Sequence, residues 1–150
     1  MPTVEETVQI DRSPQEVFDF LTDAANLPVW DTTTVRAEQV GSEPAGVGTR
    51  TRGTSKIVGK EFEWATEVTE FEAPTHVTWT AVEGKMKFSV TNTLEAAAGG
   101  TKLTYRIDAE SGLGGVFGRL ADPFIANIQA RTVRANLETL AELLGHQANA

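Results

Sequence analysis

The stretch Phe62-Glu63-Trp64-Ala65-Thr66-Glu67-Val68 alternates: Phe62, Trp64, Thr66 and Val68 fall on one side, Glu63, Ala65 and Glu67 on the other. A period of two is the mark of a β-strand with one face turned to a core and one to water. The same period extends over about eighty residues from Thr33 onward, broken by glycine and proline at hairpin spacing. Six strands are predicted here, near 34–41, 47–57, 60–71, 75–83, 86–95 and 101–110. The breaks between them, at 41–46, Val58-Gly59, Ala73-Pro74, Glu83-Gly84-Lys85 and Ala98-Gly99-Gly100, are short enough to join antiparallel neighbours.

Upstream, residues 3–10 form a further strand with Val4, Val8 and Ile10 on one side and Thr3, Glu5, Thr7 and Gln9 on the other, Glu6 being out of pattern. Ser13-Pro14-Gln15-Glu16 then reads as a helix start: Ser13 caps, Pro14 suits the first helical position and Glu16 stands where a capping box places its carboxylate. That helix carries Val17, Phe18 and Leu21 on one face and stops near Asp23, and a short second helical turn follows between Ala24 and Trp30. Downstream of Gly112-Leu113-Gly114-Gly115 the period becomes helical again, with Asp122-Pro123 as cap and first residue. A helix from Pro123 to Leu144, ending at Gly145, is about 33 Å long. The order is strand, helices, six strands, long helix, so the expected class is α+β, with the sheet curled around its C-terminal helix. Residues 1–145 are expected to form one domain and 146–150 a frayed tail.

Composition narrows the function. Thirteen Lys and Arg against 21 Asp and Glu leave a net charge of −8, the wrong sign for a polyanionic partner, so no nucleic acid is expected. Cysteine is absent, which removes disulfides, thiolate catalysis and Cys-ligated metal sites. Two distant histidines and no HExxH make a zinc site a poor reading, so no metal is expected. In Gly112-Leu113-Gly114-Gly115-Val116-Phe117-Gly118, Phe117 stands at the third glycine position of a dinucleotide fingerprint and no parallel βαβ unit surrounds it, so no cofactor is expected either. The first residues have neither a basic region nor an apolar one, and no run approaches 18 apolar residues. A cytoplasmic location without stable membrane insertion is the expectation.

The inward faces show where a ligand would go. Phe62, Trp64, Thr66 and Val68 face Val77, Trp79 and Ala81, then Met86, Phe88, Val90, Asn92 and Leu94, then Leu103, Tyr105, Ile107 and Ala109. The strand at 47–57 differs, offering Thr49, Thr51, Gly53 and Ser55 before Ile57. Small inward residues leave room, which either a large neighbouring side chain fills or a cavity occupies. The long helix has one stripe of Val133, Leu137, Leu140 and Leu144, and a second face with Phe124, Ile125 and Ile128. Either the segment around Val116, Phe117 and Leu120 buries that second face, or Phe117, Leu120 and Phe124 frame the cavity mouth on a glycine-rich, mobile loop.

Several segments together resemble the START-like (SRPBCC) superfamily, in its polyketide cyclase/dehydrase and lipid-transport branch. They are Val8-Gln9-Ile10-Asp11-Arg12-Ser13-Pro14-Gln15-Glu16-Val17-Phe18, Asn26-Leu27-Pro28-Val29-Trp30-Asp31, Gly46-Val47-Gly48-Thr49 and the closing run to Leu144. The resemblance covers nearly the whole chain. It implies the helix-grip fold, a curved seven-stranded antiparallel sheet wrapped around a long C-terminal helix, with two short helices after the first strand. It also implies a deep cavity for a small hydrophobic ligand such as a lipid, an isoprenoid or quinone, or a polyketide-like molecule. Trp30 and Asp31 border the cavity by that resemblance. The expected ligand-binding set is Trp30, Thr49, Thr51, Phe62, Trp64, Thr66, Trp79, Phe88, Val90, Asn92, Tyr105, Phe117, Leu120, Phe124 and Ile128.

A catalytic reading needs an acid or base in that space. Tyr105 and Asn92 can exchange hydrogen bonds, and Asp31 is the one carboxylate candidate, although an aspartate there also caps turns. No catalytic residue is assigned beyond these three candidates. His76 falls on an outward phase and reads as an exposed surface histidine. Arg50, Arg52 and Lys56 oppose Glu61, Glu63 and Glu67 across a hairpin, so cross-strand ion pairing accounts for both sets. The functions that the resemblance implies are hydrophobic ligand binding, a cyclase or dehydratase using the same cavity, and a protein-interaction adaptor, the last expected to show a filled core and an exposed apolar patch. Oligomeric state is not legible.

Overall fold

A computed structural model describes residues 3–57, 59–83, 87–109 and 123–148, and within these the side chains of all but 57, 83, 109, 123–129 and 146–148. The strands are β1 (Thr3–Ile10), β2 (Thr34–Val40), β3 (Arg50–Ile57), β4 (Lys60–Glu72), β5 (His76–Glu83), β6 (Phe88–Ala97) and β7 (Gly100–Ala109). Between β1 and β2 lie α1 (Pro14–Thr22), a 3₁₀ turn (Ala24–Asn26) and α2 (Leu27–Trp30), and α3 (Pro123–Ala148) follows the sheet. The seven strands form one antiparallel sheet in the order β1-β7-β6-β5-β4-β3-β2. The first and second strands thus stand at opposite edges, and α1 and α2 carry the chain from one edge to the other. Irregular register at Thr34/Arg36 in β2, and at Ala65/Thr66 and Val68/Glu70 in β4, bends the sheet. The second break in β4 also shifts its phase, so that Phe71 joins Val68 on the inner face.

Local chemistry accounts for the helix ends. Ser13 Oγ accepts the Glu16 N–H at 3.3 Å, the first half of the expected capping box, and its hydroxyl donates to Glu16 Oε1 at 3.0 Å, so the carboxylate meets the cap's side chain rather than its backbone N–H. Val17, Phe18 and Leu21 are buried as the periodicity required. Phe18 meets Phe71 edge-on, with ring centroids 5.1 Å apart. The C-terminal helix runs past its expected end: Gly145 continues it to Ala148. A glycine can end a helix through a left-handed conformation, but Gly145 does not adopt one, and a helical glycine costs only about 1 kcal/mol.

The inner face has two zones. At one end Ile10, Val68, Val77, Leu94 and Leu103 close against α1 and against Leu137, Leu140 and Leu144 of α3, all buried. Glu6, out of pattern in the sequence, is half-buried and takes the Arg134 Nε–H of α3 at 2.7 Å. Arg12 fastens the other end of that helix, its Nε donating to the Leu144 carbonyl at 3.0 Å. The opposite, outer face carries the charges. Arg50 pairs with Glu67 as expected, but Arg52 turns to Glu38 of β2, and Glu63 takes Arg36 rather than a β3 cation. Hairpin spacing relates β3 to β4 alone, whereas in the sheet β3 has neighbours on both sides. His76 is also more enclosed than expected, with its side chain 29% exposed and Nε2 3.3 Å from Thr78 Oγ1 and 3.4 Å from Glu70.

Truncating the packed end should therefore be expensive. Leu140→Ala, at a position with no exposed surface, is expected to lose about 2–5 kcal/mol in urea unfolding, while Glu138→Ala on the exposed face changes stability by less than about 0.5 kcal/mol.

Candidate functional site

Beyond the row Val77–Asn92–Tyr105 the inner face stops being filled. Register places Asn92 opposite both Val77 and Tyr105, with Val90 and Ile107 one step further from the packed end. From there a cavity of about 140 Å³ opens between β3–β7, the α1–α2 connection and α3. Its walls include Phe62, Trp64, Trp79, Phe88, Val90 and Ile107 from the sheet, Leu21, Leu27 and Trp30 from the connection, and Val133 from α3. All three tryptophans of the chain and its one tyrosine line this space. Thr51, Ser55, Thr66 and Thr34 supply a hydroxyl-bearing side.

The small residues of β3 turn out to do two jobs. Gly53 lies opposite Trp64, whose indole occupies the place of a side chain: a Cβ there would stand 2.5 Å from Trp64 Cζ2 and 2.5 Å from the Arg36 carbonyl oxygen. Ser55 then accepts the Trp64 Nε1–H at 2.8 Å. A large neighbour thus fills the room at Gly53, while Thr51, Ser55 and Thr66 border the open space.

The connecting segment is fixed by a polar clamp. Asp31 Oδ1 accepts from the Thr33 N–H at 2.9 Å, the Thr33 hydroxyl at 2.7 Å and Asn136 Nδ2 at 3.0 Å. Asn136 Oδ1 in return accepts the Thr32 N–H at 3.2 Å and its hydroxyl at 3.0 Å. Asn136 is 5% exposed, so this exchange satisfies a buried amide and ties the segment after α2 to the long helix. Trp30 beside it meets Tyr105 edge to face, with centroids 6.2 Å apart and ring planes at 86°. Asp31 is the one carboxylic acid among the described lining residues, and no Lys, Arg or His is among them. Enclosure, and secondarily the Asp31 charge, hold the Tyr105 hydroxyl protonated well above its ordinary range. Tyr105 is thus a hydrogen-bond group at neutral pH rather than a base. Among the described residues no cluster of metal-ligating side chains occurs, and no helix is long and apolar enough to cross a membrane.

Of the residues singled out in the sequence, Trp30, Asp31, Thr51, Phe62, Trp64, Thr66, Trp79, Phe88, Val90, Asn92 and Tyr105 meet at the cavity. Thr49 does not. It belongs to the turn before β3, where its N–H donates to the Gly46 carbonyl and its hydroxyl accepts the Gly46 N–H at 2.9 Å. Phe117 and Leu120 lie outside the described residues, as do the side chains of Phe124 and Ile128 within α3. Asn136 was missed, although it follows Val133 by three residues and precedes Leu140 by four, the spacing of a buried face. Leu21 was read only as part of the buried face of α1, and Leu27 and Thr33 were missed because the connection's inward side has no simple period.

The chain matches the family described as polyketide cyclase / dehydrase and lipid transport over residues 1–145. It belongs to that family. No curated protein matches it in sequence. Among solved structures, TTHA0849 of Thermus thermophilus is similar with a TM-score of 0.81 at 22% identity, covering 99% of this chain and 100% of its own. A START superfamily protein of Mycobacterium smegmatis gives 0.73 at 16% identity, covering 95% and 98%. Ginseng major latex-like protein 151 of Panax ginseng gives 0.67 at 14% identity, covering 93% and 96%. At these identities the likeness is one of fold, and the START-like architecture accounts for it. Family and fold are consistent with binding of hydrophobic ligands.

The glycine and the tyrosine of this site can each be tested. Gly53→Ala forces a methyl into Trp64 and the β2 backbone and is expected to cost about 1–3 kcal/mol, whereas Gly46→Ala, with open space around it, changes chemical denaturation by less than about 0.5 kcal/mol. Tyr105, as the single tyrosine, can be titrated by its ultraviolet absorbance: no tyrosinate is expected near the usual value of 10 while the fold persists. Because the folded state holds this proton more tightly than the unfolded chain, its contribution to stability is intact below pH 10 and declines above it.

Proposed function

We propose that this protein binds a small hydrophobic molecule in the cavity between the sheet and α3. The observation that carries this reading is the gathering of Trp30, Trp64, Trp79 and Tyr105 around one unfilled space whose other walls are mainly apolar. Aromatic residues are the strongest contributors to close packing, so four of them around a void are a poor solution for stability alone. The volume is close to the roughly 150 Å³ that accommodates a single aromatic ring in other proteins. Volume and aromatic walls together favour a ring-bearing molecule, as in polyketides or quinone head groups, over an extended acyl chain.

A second reading, a cyclase or dehydratase, draws on Asp31, Asn92 and Tyr105 lining the same cavity. Protonated Tyr105 suits polarisation of a substrate carbonyl. The base would have to be Asp31, whose Oδ1 already takes three hydrogen bonds. Binding is therefore the function proposed, and catalysis the lesser claim. An adaptor role has less support: the inner face is not filled, and among the described residues the exposed large apolar ones, Val29, Val35, Val40, Val47 and Val82, come from four different segments.

The built-in tryptophans provide the test. Titration with nitrobenzene, a neutral one-ring quencher that matches the cavity volume, is expected to quench tryptophan emission saturably, with one site per chain. Val90→Phe, which places a ring in the cavity, is expected to weaken that binding about ten-fold or more while leaving the fold intact by circular dichroism. Unsaturable quenching, or equal affinity in a folded Val90→Phe variant, would count against the reading.

A further inference from the structure

Asn92 stands where the packed zone ends and the cavity begins. Leu94 and Leu103 form the apolar row on one side of it, Val90 and Ile107 the apolar row on the other. The residue is 2% exposed, and its Oδ1 is a buried acceptor with no hydrogen-bond partner among the described residues. A buried acceptor left unpaired is costly, and a leucine of similar size would avoid the cost. The other buried amide at the cavity, and the serine hydroxyl in its wall, are served from within the protein: Asn136 by Thr32 and Asp31, Ser55 by Trp64. Among the described residues the Asn92 oxygen is the exception, and the residue that carries it lines the space in which a guest would sit.

The charge pattern adds a second constraint. Asp31 lines the same cavity, and no described lining residue is basic. A carboxylate guest would meet a like charge with no counter-ion and would offer Asn92 Oδ1 no proton. A hydroxyl offers one. Because the terminal torsion of asparagine is soft, the amide can turn its oxygen to a guest without leaving a rotamer well.

We infer that the cavity selects neutral, ring-sized apolar molecules bearing an alcoholic or phenolic hydroxyl that donates to Asn92 Oδ1, and discriminates against carboxylates. This rests on the proposed cavity binding and specifies its ligand class.

Three probes that share one p-tolyl ring separate the contributions: p-cresol has a donor, p-methylanisole has only an acceptor, and p-toluate is an anion at neutral pH. Binding is followed by heteronuclear NMR on the indole N–H signals of Trp30, Trp64 and Trp79. The expected order is p-cresol about ten-fold tighter than p-methylanisole, with p-toluate the weakest of the three. In Asn92→Leu, p-cresol and p-methylanisole are expected to bind within about two-fold of each other. Equal affinities of these two for the wild-type protein, a preference for p-toluate, or a cresol preference that survives Asn92→Leu would each overturn the inference while leaving the cavity as a binding site. Failure of all three probes to move any indole signal would overturn the binding reading along with it. The wild-type series alone decides the donor preference, so the test stands even where the leucine variant does not fold.

Discussion

A seven-stranded sheet is wider than one helix can cover. With strands about 4.8 Å apart the inner face is roughly 29 Å across, while a helix with its side chains is about 10 Å thick. The long helix here covers part of that face, and its apolar stripe is spent at one end, where Leu137, Leu140 and Leu144 meet Ile10, Leu94 and Leu103. Toward its start the same helix offers Val133 and Asn136 to a region already lined by the large rings of β4, β5 and β6. What α3 leaves uncovered, the α1–α2 connection roofs without filling. The cavity is thus a consequence of geometry before it is a feature of any ligand.

Holding such a roof in place needs an anchor that does not collapse it. The exchange between Asp31, Thr32, Thr33 and Asn136 is short-ranged and directional, fixing the connection to α3 through hydrogen bonds. An apolar contact at the same place would draw the elements together and fill the space. The tryptophan–serine bond in the wall acts likewise, setting the indole of Trp64 over Gly53 and away from the centre of the void. These polar residues shape the cavity, whereas the Asn92 oxygen, with no partner among the described residues, holds nothing in place.

Much of this was legible in the sequence because it is periodic. Alternation over 60–71 and its neighbours located the seven strands, and the capping box before Val17 located α1. The inward phase of β3 to β7 gave most of the cavity wall, since strand geometry fixes side-chain direction once the buried face is known. What was not legible depends on proximity without period. Thr49 follows the phase of β3 but precedes the strand and serves its own turn. Arg52 finds Glu38 because β3 lies between two strands, a fact of sheet order rather than hairpin spacing. Asn136 lay on the buried face by spacing, yet its partners Asp31 and Thr32 are about a hundred residues away and only the fold brings them within reach. The family, by contrast, was recognisable from a few segments, as its match over residues 1–145 bears out.

Binding of a hydrophobic guest requires that the space between the sheet and α3 be occupied. Native mass spectrometry of the freshly purified protein, set beside the same sample after denaturing extraction, tests this most directly. A fraction of the native protein is expected to carry one small extra mass, released on denaturation as a neutral, ring-bearing molecule, and displaced in proportion when p-cresol is added. Native and denatured masses that agree, together with no adduct on addition of p-cresol or nitrobenzene, would contradict it.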